Sequence, residues 1–498
     1  MHLAWFSPIP PVKSGIAGRS AELVEALQGR GYDIDIFVDG PPSLASSDAS
    51  ARASARYSVF SAHDFLWRHR RQPYDLTVYQ FGNSSHHDYA WAYALQHPGL
   101  VVLHDTHLHH ARAAFLLRER RVDHYRAEFR WNHPDVNPDV AELAVAGFDS
   151  ALYYDHAMVR TLVATSRLVA VHGDGARAEL LDGLRDAAID RLPERIVSIR
   201  LGEGESLTLE RERAARHVVR ARYGIADDAV VFGCFGGLTP EKRIPQVLAA
   251  LRAIQPHAPS ARLLLAGAPA TQYDVAAAIA AHGLEDRVTL TGYLERDADL
   301  TDHIAACDVS LNLRWPTARE TSGPWLRALA AGRPTVITDL VHNGDVPSLD
   351  PRTWTAREVG GWRSEDGGWR SEVGKKTTPE RASVVSPELS TPSLQPPIPN
   401  LQPPVCIAID ILDEDHSLRL AMRRLATDPA LRERLGRAGL DWWEREHTVE
   451  AMVEDYERVM RDAASRPDPA VDLPAHLRNA GDRKLRALLA PFGIEAGL

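Results

Sequence analysis

The stretch Arg314-Trp315-Pro316-Thr317-Ala318-Arg319-Glu320-Thr321-Ser322-Gly323-Pro324-Trp325-Leu326-Arg327-Ala328-Leu329-Ala330-Ala331-Gly332-Arg333-Pro334 lies between two short apolar runs, residues 309–312 and 335–338. Ser322 or Gly323 suits a helix N-cap, and Pro324 suits the first helical position. Ala328, Ala330 and Ala331 are small enough to let such a helix pack closely, and Gly332 would end it. The unit reads as strand, loop, helix, strand. Glu320 then projects from a loop at the carboxyl end of a strand, where open α/β sheets bind ligands. A carboxylate there can accept hydrogen bonds from ligand hydroxyls; the plainer reading is a solvated loop acid.

The same rhythm extends in both directions. Apolar runs at 230–235, 263–266 and 288–291 precede the stretch, and the first half carries runs at 3–6, 34–38, 76–80, 100–103, 168–171 and 196–200. Between the first two of these, Ile16, Ser20, Leu23, Val24 and Leu27 keep helical spacing on one face. Strands alternating with helices imply parallel sheets covered on both sides. A chain of 498 residues is too long for one compact core, and a charged segment, about 203–222, separates the halves. The expected fold class is therefore α/β, with two Rossmann-like doubly wound domains facing a central cleft.

The expected boundaries are 1–203 for the first domain and 204–350 with 405–450 for the second, followed by a C-terminal helix and tail at 451–498. Residues 351–404 break the rhythm. Gly360-Gly361-Trp362-Arg363-Ser364-Glu365 recurs as Gly367-Gly368-Trp369-Arg370-Ser371-Glu372, and Leu394-Gln395-Pro396-Pro397 recurs as Leu401-Gln402-Pro403-Pro404. Composition this rich in Gly, Pro, Ser and Thr buries too little apolar surface to offset ordering entropy, so a disordered insertion is expected. The Trp repeats could instead serve as a docking motif. A resumed strand is expected at 405–409, then helices from 418 to about 460.

Bulk properties exclude several classes. The hydrophobic fraction of 44% and charged fraction of 25% are ordinary for a globular protein. A net charge of −10 argues against a surface that grips nucleic acid. Cys234, Cys307 and Cys406 lie far apart without metal spacing, and the first two sit in apolar runs that suit buried reduced thiols. The strand-like run at 3–6, cut short by Pro8, is too brief for a signal peptide, and no run of eighteen apolar residues could span a bilayer. A cytoplasmic protein is expected.

Two further motifs carry chemistry. Phe6-Ser7-Pro8-Ile9-Pro10-Pro11-Val12-Lys13-Ser14-Gly15-Ile16 reads as a strand end, a Pro-rich loop and a glycine opening a helix, whose N-terminus suits phosphate or developing negative charge. Gly236-Gly237-Leu238-Thr239-Pro240-Glu241-Lys242-Arg243 places a lysine just past a Gly-containing turn, within reach of a diphosphate. Taken singly, either motif is as readily an ordinary βα turn or solvated surface.

Taken together and in this order, the motifs resemble the family-4-type retaining glycosyltransferases of GT-B fold, over about residues 1–350 and 405–460. Ser14-Gly15-Ile16 is similar to that family's acceptor-side glycine loop. Gly236 to Lys242 resembles its diphosphate-binding turn, 263–267 and Thr291-Gly292-Tyr293 its next two strand ends, and Glu320 to Pro334 its acidic loop and nucleotide-facing helix. The resemblance implies that domain 1–203 serves the acceptor and that the second domain binds a nucleotide sugar. It implies His104, Lys242 and Glu320 as catalytic residues. Donor contacts would come from Gly15, Gly236, Gly237, Arg243, Thr321, Ser322, Gly323 and Arg327, and the acceptor side from Ser14, Asn83, His86 and His87. Two departures stand out. The family usually carries an Arg before the Lys of the diphosphate turn, where this chain has Gly237. Its second glutamate, which normally holds the ribose hydroxyls, is replaced here by Arg327, and the loop from Glu320 is one residue shorter.

His104, Asp105, His107, His109 and His110 could suggest a metal site, but no zinc spacing is present, so no metal and no cofactor is expected. The implied partners are a nucleotide-sugar donor and an unidentified acceptor: a glycan, a lipid-linked molecule or a small metabolite. A lipid-linked acceptor would bring the chain to a membrane surface. The implied reaction is sugar transfer with retention, in which the leaving diphosphate takes the acceptor's proton. Two other readings stay open: a non-catalytic sugar-nucleotide-binding or scaffolding protein on the same fold, and a GT-B epimerase or phosphorylase.

Overall fold

The computed structural model describes residues 1–40, 57–148, 151–270, 273–357, 402–478 and 491. Fourteen strands form two seven-stranded sheets among these residues. The first holds β1 (His2–Phe6), β2 (Asp33–Val38), β3 (Ser58–Ser61), β4 (Leu76–Phe81), β5 (Leu100–Leu103), β6 (Leu168–His172) and β7 (Ile196–Ile199), in the order β3-β2-β1-β4-β5-β6-β7. The second holds β8 (Val231–Phe235), β9 (Arg262–Ala266), β10 (Val288–Gly292), β11 (Val309–Asn312), β12 (Thr335–Thr338), β13 (Ser348–Leu349) and β14 (Cys406–Ile409), in the order β10-β9-β8-β11-β12-β14-β13. Every strand pair is parallel. The expected doubly wound α/β pair is what the chain forms.

The strands are apolar because they are covered on both faces: β4 and β5 are buried at every position. Strand order reverses between β1 and β4 in one sheet and between β8 and β11 in the other, which opens a crevice at their carboxyl ends. β14 inserts between β12 and β13, so the chain leaves the sheet after Leu349 and returns into it. Residues 351–357 still belong to the fold: Arg357 N donates to Ser348 O and Leu349 bridges Ala356 antiparallel. The Trp repeat at 360–372 lies outside the described residues, as does most of the Leu-Gln-Pro-Pro repeat.

Glu203 to Arg222 was expected only as a charged separator; Leu209–Arg222 within it is a helix, N-capped by Thr208, whose Oγ1 accepts from Arg211 N. The long C-terminal pattern resolves into three helices, Glu414–Thr427, Pro429–Glu446 and Val449–Ser465. The last crosses back to the first domain. Met452, Tyr456, Val459, Met460 and Ala463 keep one helical face and are buried there with Trp5, Val78 and Val102. At roughly 1.5–3 kcal/mol for each large side chain buried, this face anchors the crossing firmly. All three cysteines are buried and unpaired by disulfide. No helix of the described residues is long and apolar enough to cross a membrane.

Candidate active site

Loops at the carboxyl ends of both sheets enclose a cavity of about 830 Å³ between the domains. On the first domain, Ser14 N-caps the helix Gly15–Gly29, its Oγ accepting from Ile16 N at 3.2 Å. One turn further, Arg19 reaches the cavity wall. After β4 the chain passes close to the helix: a Cβ on Gly82 would lie 2.4 Å from Ile16 Cδ1, so a side chain here would have to displace that of Ile16. Asn83 follows, its N–H donating to Asp105 Oδ2 at 2.7 Å and its Oδ1 accepting from Ala111 N at 2.9 Å. These bonds fix Asp105 at the end of β5, facing the other domain.

On the second domain, β8 runs into Gly236, whose φ of +88° suits a residue without a side chain. The turn Pro240–Lys242 brings the Lys242 ammonium back to the strand end, where Nζ donates to Phe235 O at 2.5 Å. Burial first, then Arg314, pushes its pKa down to about 8. After β11, Thr317 Oγ1 donates to Glu320 Oε2 at 2.7 Å and Arg314 Nε sits 2.5 Å from Glu320 Oε1. Glu320 is thus held rigidly rather than solvated. Ser322 is the N-cap of the helix Gly323–Ala330, accepting from Trp325 N. Burial first, then Glu320 across the cleft, pushes Asp105 up to about 7.

At the other end of the cavity Arg327 pairs with Glu203 (Nε to Oε1, 2.5 Å) and Asp297 (3.1 Å). Glu203 also accepts from Arg19 Nε at 2.9 Å. Burial alone would raise the Glu203 carboxyl, but Arg19 and Arg327 outweigh it and hold it below the usual range. Glu203 itself is pinned to the interdomain crossing: its N–H donates to His447 O and its carbonyl accepts from Trp443 Nε1 at 2.8 Å.

The cavity wall brings together Ser14, Gly15, Asn83, His104, Gly236, Gly237, Lys242, Glu320, Thr321, Ser322, Gly323 and Arg327 of the residues singled out in the sequence. Three others lie elsewhere. Arg243 turns away, with φ +58°, to pair with Glu414 on the far helix. His87 is buried, its Nδ1 bound to Gln80 O, and burial holds its pKa down to about 4. His86 is exposed outside the cavity wall. The adjacent histidines also diverge. His104 contacts Gln80 and His172, whereas His109 contacts Tyr125 in a separate buried cluster.

His104 occupies the wall without a free nitrogen. Gln80 Oε1 accepts from Tyr456 OH (3.2 Å) and His104 Nε2 (2.7 Å), so His104 carries its proton on Nε2 and offers Nδ1 to His172 Nε2–H at 3.1 Å. Burial, then His172, keeps the ring neutral. Arg19, Asp105, Glu203, Asp297 and Arg314 enter the site without having been singled out for it. Only the helical spacing around Arg19 and the strand end before Asp105 could have signalled two of them.

Residues 229–350 match the family model described as "Glycosyl transferases group 1". Over these residues the second domain is similar to group 1 glycosyl transferases. Its span runs from β8 through the Glu320 loop to β13, so it contributes Lys242, Glu320 and Gly323 to the cavity. No curated protein matches the chain. Among solved structures, a sucrose-phosphate synthase from Thermosynechococcus elongatus is similar over 93% of this chain and 98% of its own, at TM-score 0.57 and 14% identity. HepE from Anabaena, solved in complex with UDP-glucose, aligns over 93% and 99%, at TM-score 0.56 and 13% identity. A glycosyltransferase from Rickettsia africae aligns over 94% and 99%, at TM-score 0.57 and 11% identity. These likenesses establish the fold: two Rossmann-like domains in the GT-B arrangement.

Proposed function

We propose that the chain is an enzyme that moves a sugar from a nucleoside diphosphate donor to an acceptor hydroxyl, with retention and without a metal ion. The observation that carries this reading is the convergence of Lys242, Glu320 and the start of the Gly323–Ala330 helix on one interdomain cavity. A lysine ammonium and a helix N-terminus meet the charge of a diphosphate, and that charge grows as the glycosidic oxygen leaves. Glu320, fixed by Thr317 and Arg314, orients hydroxyls of the transferred sugar. Gly15 approaches from the opposite domain.

The acceptor oxygen attacks the anomeric carbon on the face from which the diphosphate departs. The carbon–phosphate-oxygen bond breaks, the new carbon–oxygen bond forms, and the leaving diphosphate takes the acceptor's proton. No enzymic nucleophile is required. Asp105, which lines the cavity from the first domain and has only Oδ2 occupied by Asn83 N, would hold the acceptor hydroxyl in this reading. His104 serves as a neutral wall. The absent second glutamate bears on ribose contacts: Arg327 is engaged by Glu203 and Asp297, and Glu203 has both oxygens taken by Arg327 and Arg19, so the exposed Asp297 is the acid of this group left to meet ribose hydroxyls. The acceptor would dock on the first-domain side, and a lipid-linked one would bring the chain to a membrane surface.

The test is a donor screen with UDP-, GDP- and ADP-sugars, reading released nucleoside diphosphate and the anomeric configuration of the product. Release of a diphosphate with a retained linkage supports the reading; binding of a donor without transfer or hydrolysis would favour the scaffold alternative.

A further inference from the structure

The loop that carries Glu320 is held from the opposite domain, which matters if, as in the donor reading above on which this inference rests, Glu320 orients the transferred sugar. His107 N, two residues beyond Asp105, donates to Ala318 O at 3.2 Å. Next along the loop, Arg319 Nε lies 2.8 Å from Glu179 Oε1, on the first-domain helix Asp174–Gly183. Both side chains are about four-fifths buried, and among the described residues no other acid pairs with that guanidinium. His107 and His342 also feel it, and burial and then Arg319 keep both rings neutral, with pKa values pushed down to about 3. Glu179 is therefore the charge that answers Arg319. The helix bearing Glu179 is docked on the second domain at its start as well: Asp174 N donates to Asp345 Oδ2 at 3.2 Å, and a Cβ on Gly175 would lie 2.5 Å from His342 O.

The backbone shows what this contact holds. Arg319 has φ +66°, a left-handed conformation that a residue with a side chain keeps where its surroundings impose it. In that conformation its N–H donates to Thr317 Oγ1 at 3.0 Å, and the same hydroxyl donates to Glu320 Oε2 at 2.7 Å. Releasing Arg319 would disturb this relay and with it the carboxylate. The hold of Arg314 on Glu320 lies wholly within the second domain; the hold of Glu179 exists only when the two domains touch.

We propose that Glu179 is a positioning residue: acting through Arg319 and Thr317, it fixes the Glu320 carboxylate when the first domain meets the second, so that the donor sugar is oriented in step with domain closure. A donor bound while the domains are apart then meets a less ordered Glu320, which limits transfer to water.

The experiment measures release of nucleoside diphosphate from the donor that wild type uses, and calorimetric affinity for that free diphosphate, in the full chain. The variants are Glu179→Gln, Glu179→Asp, Glu320→Gln and the double variant Glu179→Gln with Glu320→Gln. Glu179→Gln should lower kcat by roughly tenfold, as for loss of a charge-assisted hydrogen bond. Diphosphate Kd should stay within about twofold, because Lys242 and the start of the Gly323–Ala330 helix are untouched. Glu179→Asp should recover part of the turnover. In the Glu320→Gln background, Glu179→Gln should change kcat by less than about twofold, since the group it acts through is already gone. Unchanged kcat in Glu179→Gln would overturn the proposal. So would an equal loss of diphosphate affinity, which marks a merely structural role, or a further tenfold loss of kcat in the Glu320→Gln background. If Glu179→Gln does not fold, Glu179→Asp is read by the same split: lower kcat at unchanged Kd supports the proposal, and wild-type kcat overturns it. A wild type that releases diphosphate from no donor would sink the donor reading and this inference with it, whereas an active wild type with the wrong variant pattern sinks this inference alone.

Discussion

Arg327 Nε lies 2.5 Å from Glu203 Oε1, joining the helix that faces the interdomain cavity to the segment that links the two domains. Glu203 in turn accepts from Arg19 of the first domain. One carboxylate therefore connects both lobes and the crossing between them. Arg327→Glu should place two carboxylates together in this poorly solvated site and leave Arg19 to serve both. A cost of about 3–5 kcal/mol is expected, the range for breaking a buried pair. Denaturant unfolding of Arg327→Glu, and of the exchanged pair Arg327→Glu with Glu203→Arg, measures it. Partial recovery in the exchanged pair is the predicted outcome.

Gly204 adjoins that carboxylate with φ +92°, and a Cβ there would lie 3.0 Å from Arg327 Cα. Gly204→Ala combines a strained backbone with a backbone clash, so a loss of more than about 1 kcal/mol is expected. Thermal unfolding should show a lower midpoint. A midpoint equal to wild type would mean the crossing can shift freely.

Asp105 takes up a proton more readily in the folded chain than in the unfolded one, because burial and then Glu320 raise it to about 7. Its contribution to stability is therefore full below the unfolded value of about 3.9 and is lost as pH rises through about 7. Asp105→Asn removes this slope. Stability measured from pH 4 to 8 should fall less steeply in the variant, and turnover should drop if Asp105 holds the acceptor.

Lys242 moves the other way, down to about 8 through burial and then Arg314. Its ammonium is fully charged below that value and is lost above it. Diphosphate affinity should weaken toward about tenfold per pH unit above 8 if only the ammonium binds. Lys242→Arg should flatten that decline, since a guanidinium does not titrate in this range. Titration at pH 7 and pH 9 distinguishes the two.

Much of this architecture was legible in the sequence because parallel sheets impose a strict alternation of apolar runs and amphipathic helices. The runs at 100–103, 309–312 and 335–338 coincide with β5, β11 and β12. β3 was missed because Ser58–Ser61 is a short edge strand with a single buried residue. The return of the Val449–Ser465 helix to the first domain was hidden because its apolar face does not say which sheet it covers. Within the site, loop position predicted Lys242 and Glu320, since strand ends feed the crevice. It could not separate the roles of His104 and Asp105: both line the cavity, but Gln80 and His172 occupy the nitrogens of the histidine. Arg243 was misplaced for a related reason, as its partner Glu414 lies 171 positions away.

The account's central claim is that Lys242 and the start of the Gly323–Ala330 helix gather a diphosphate in the interdomain cavity. Release of nucleoside diphosphate from the preferred donor by wild type and by Lys242→Ala, with folding checked by circular dichroism, tests it most directly. The predicted result is a fall of at least about a hundredfold in kcat/KM for a folded variant, equivalent to roughly 3 kcal/mol of transition-state stabilisation. Wild-type turnover in folded Lys242→Ala would contradict it.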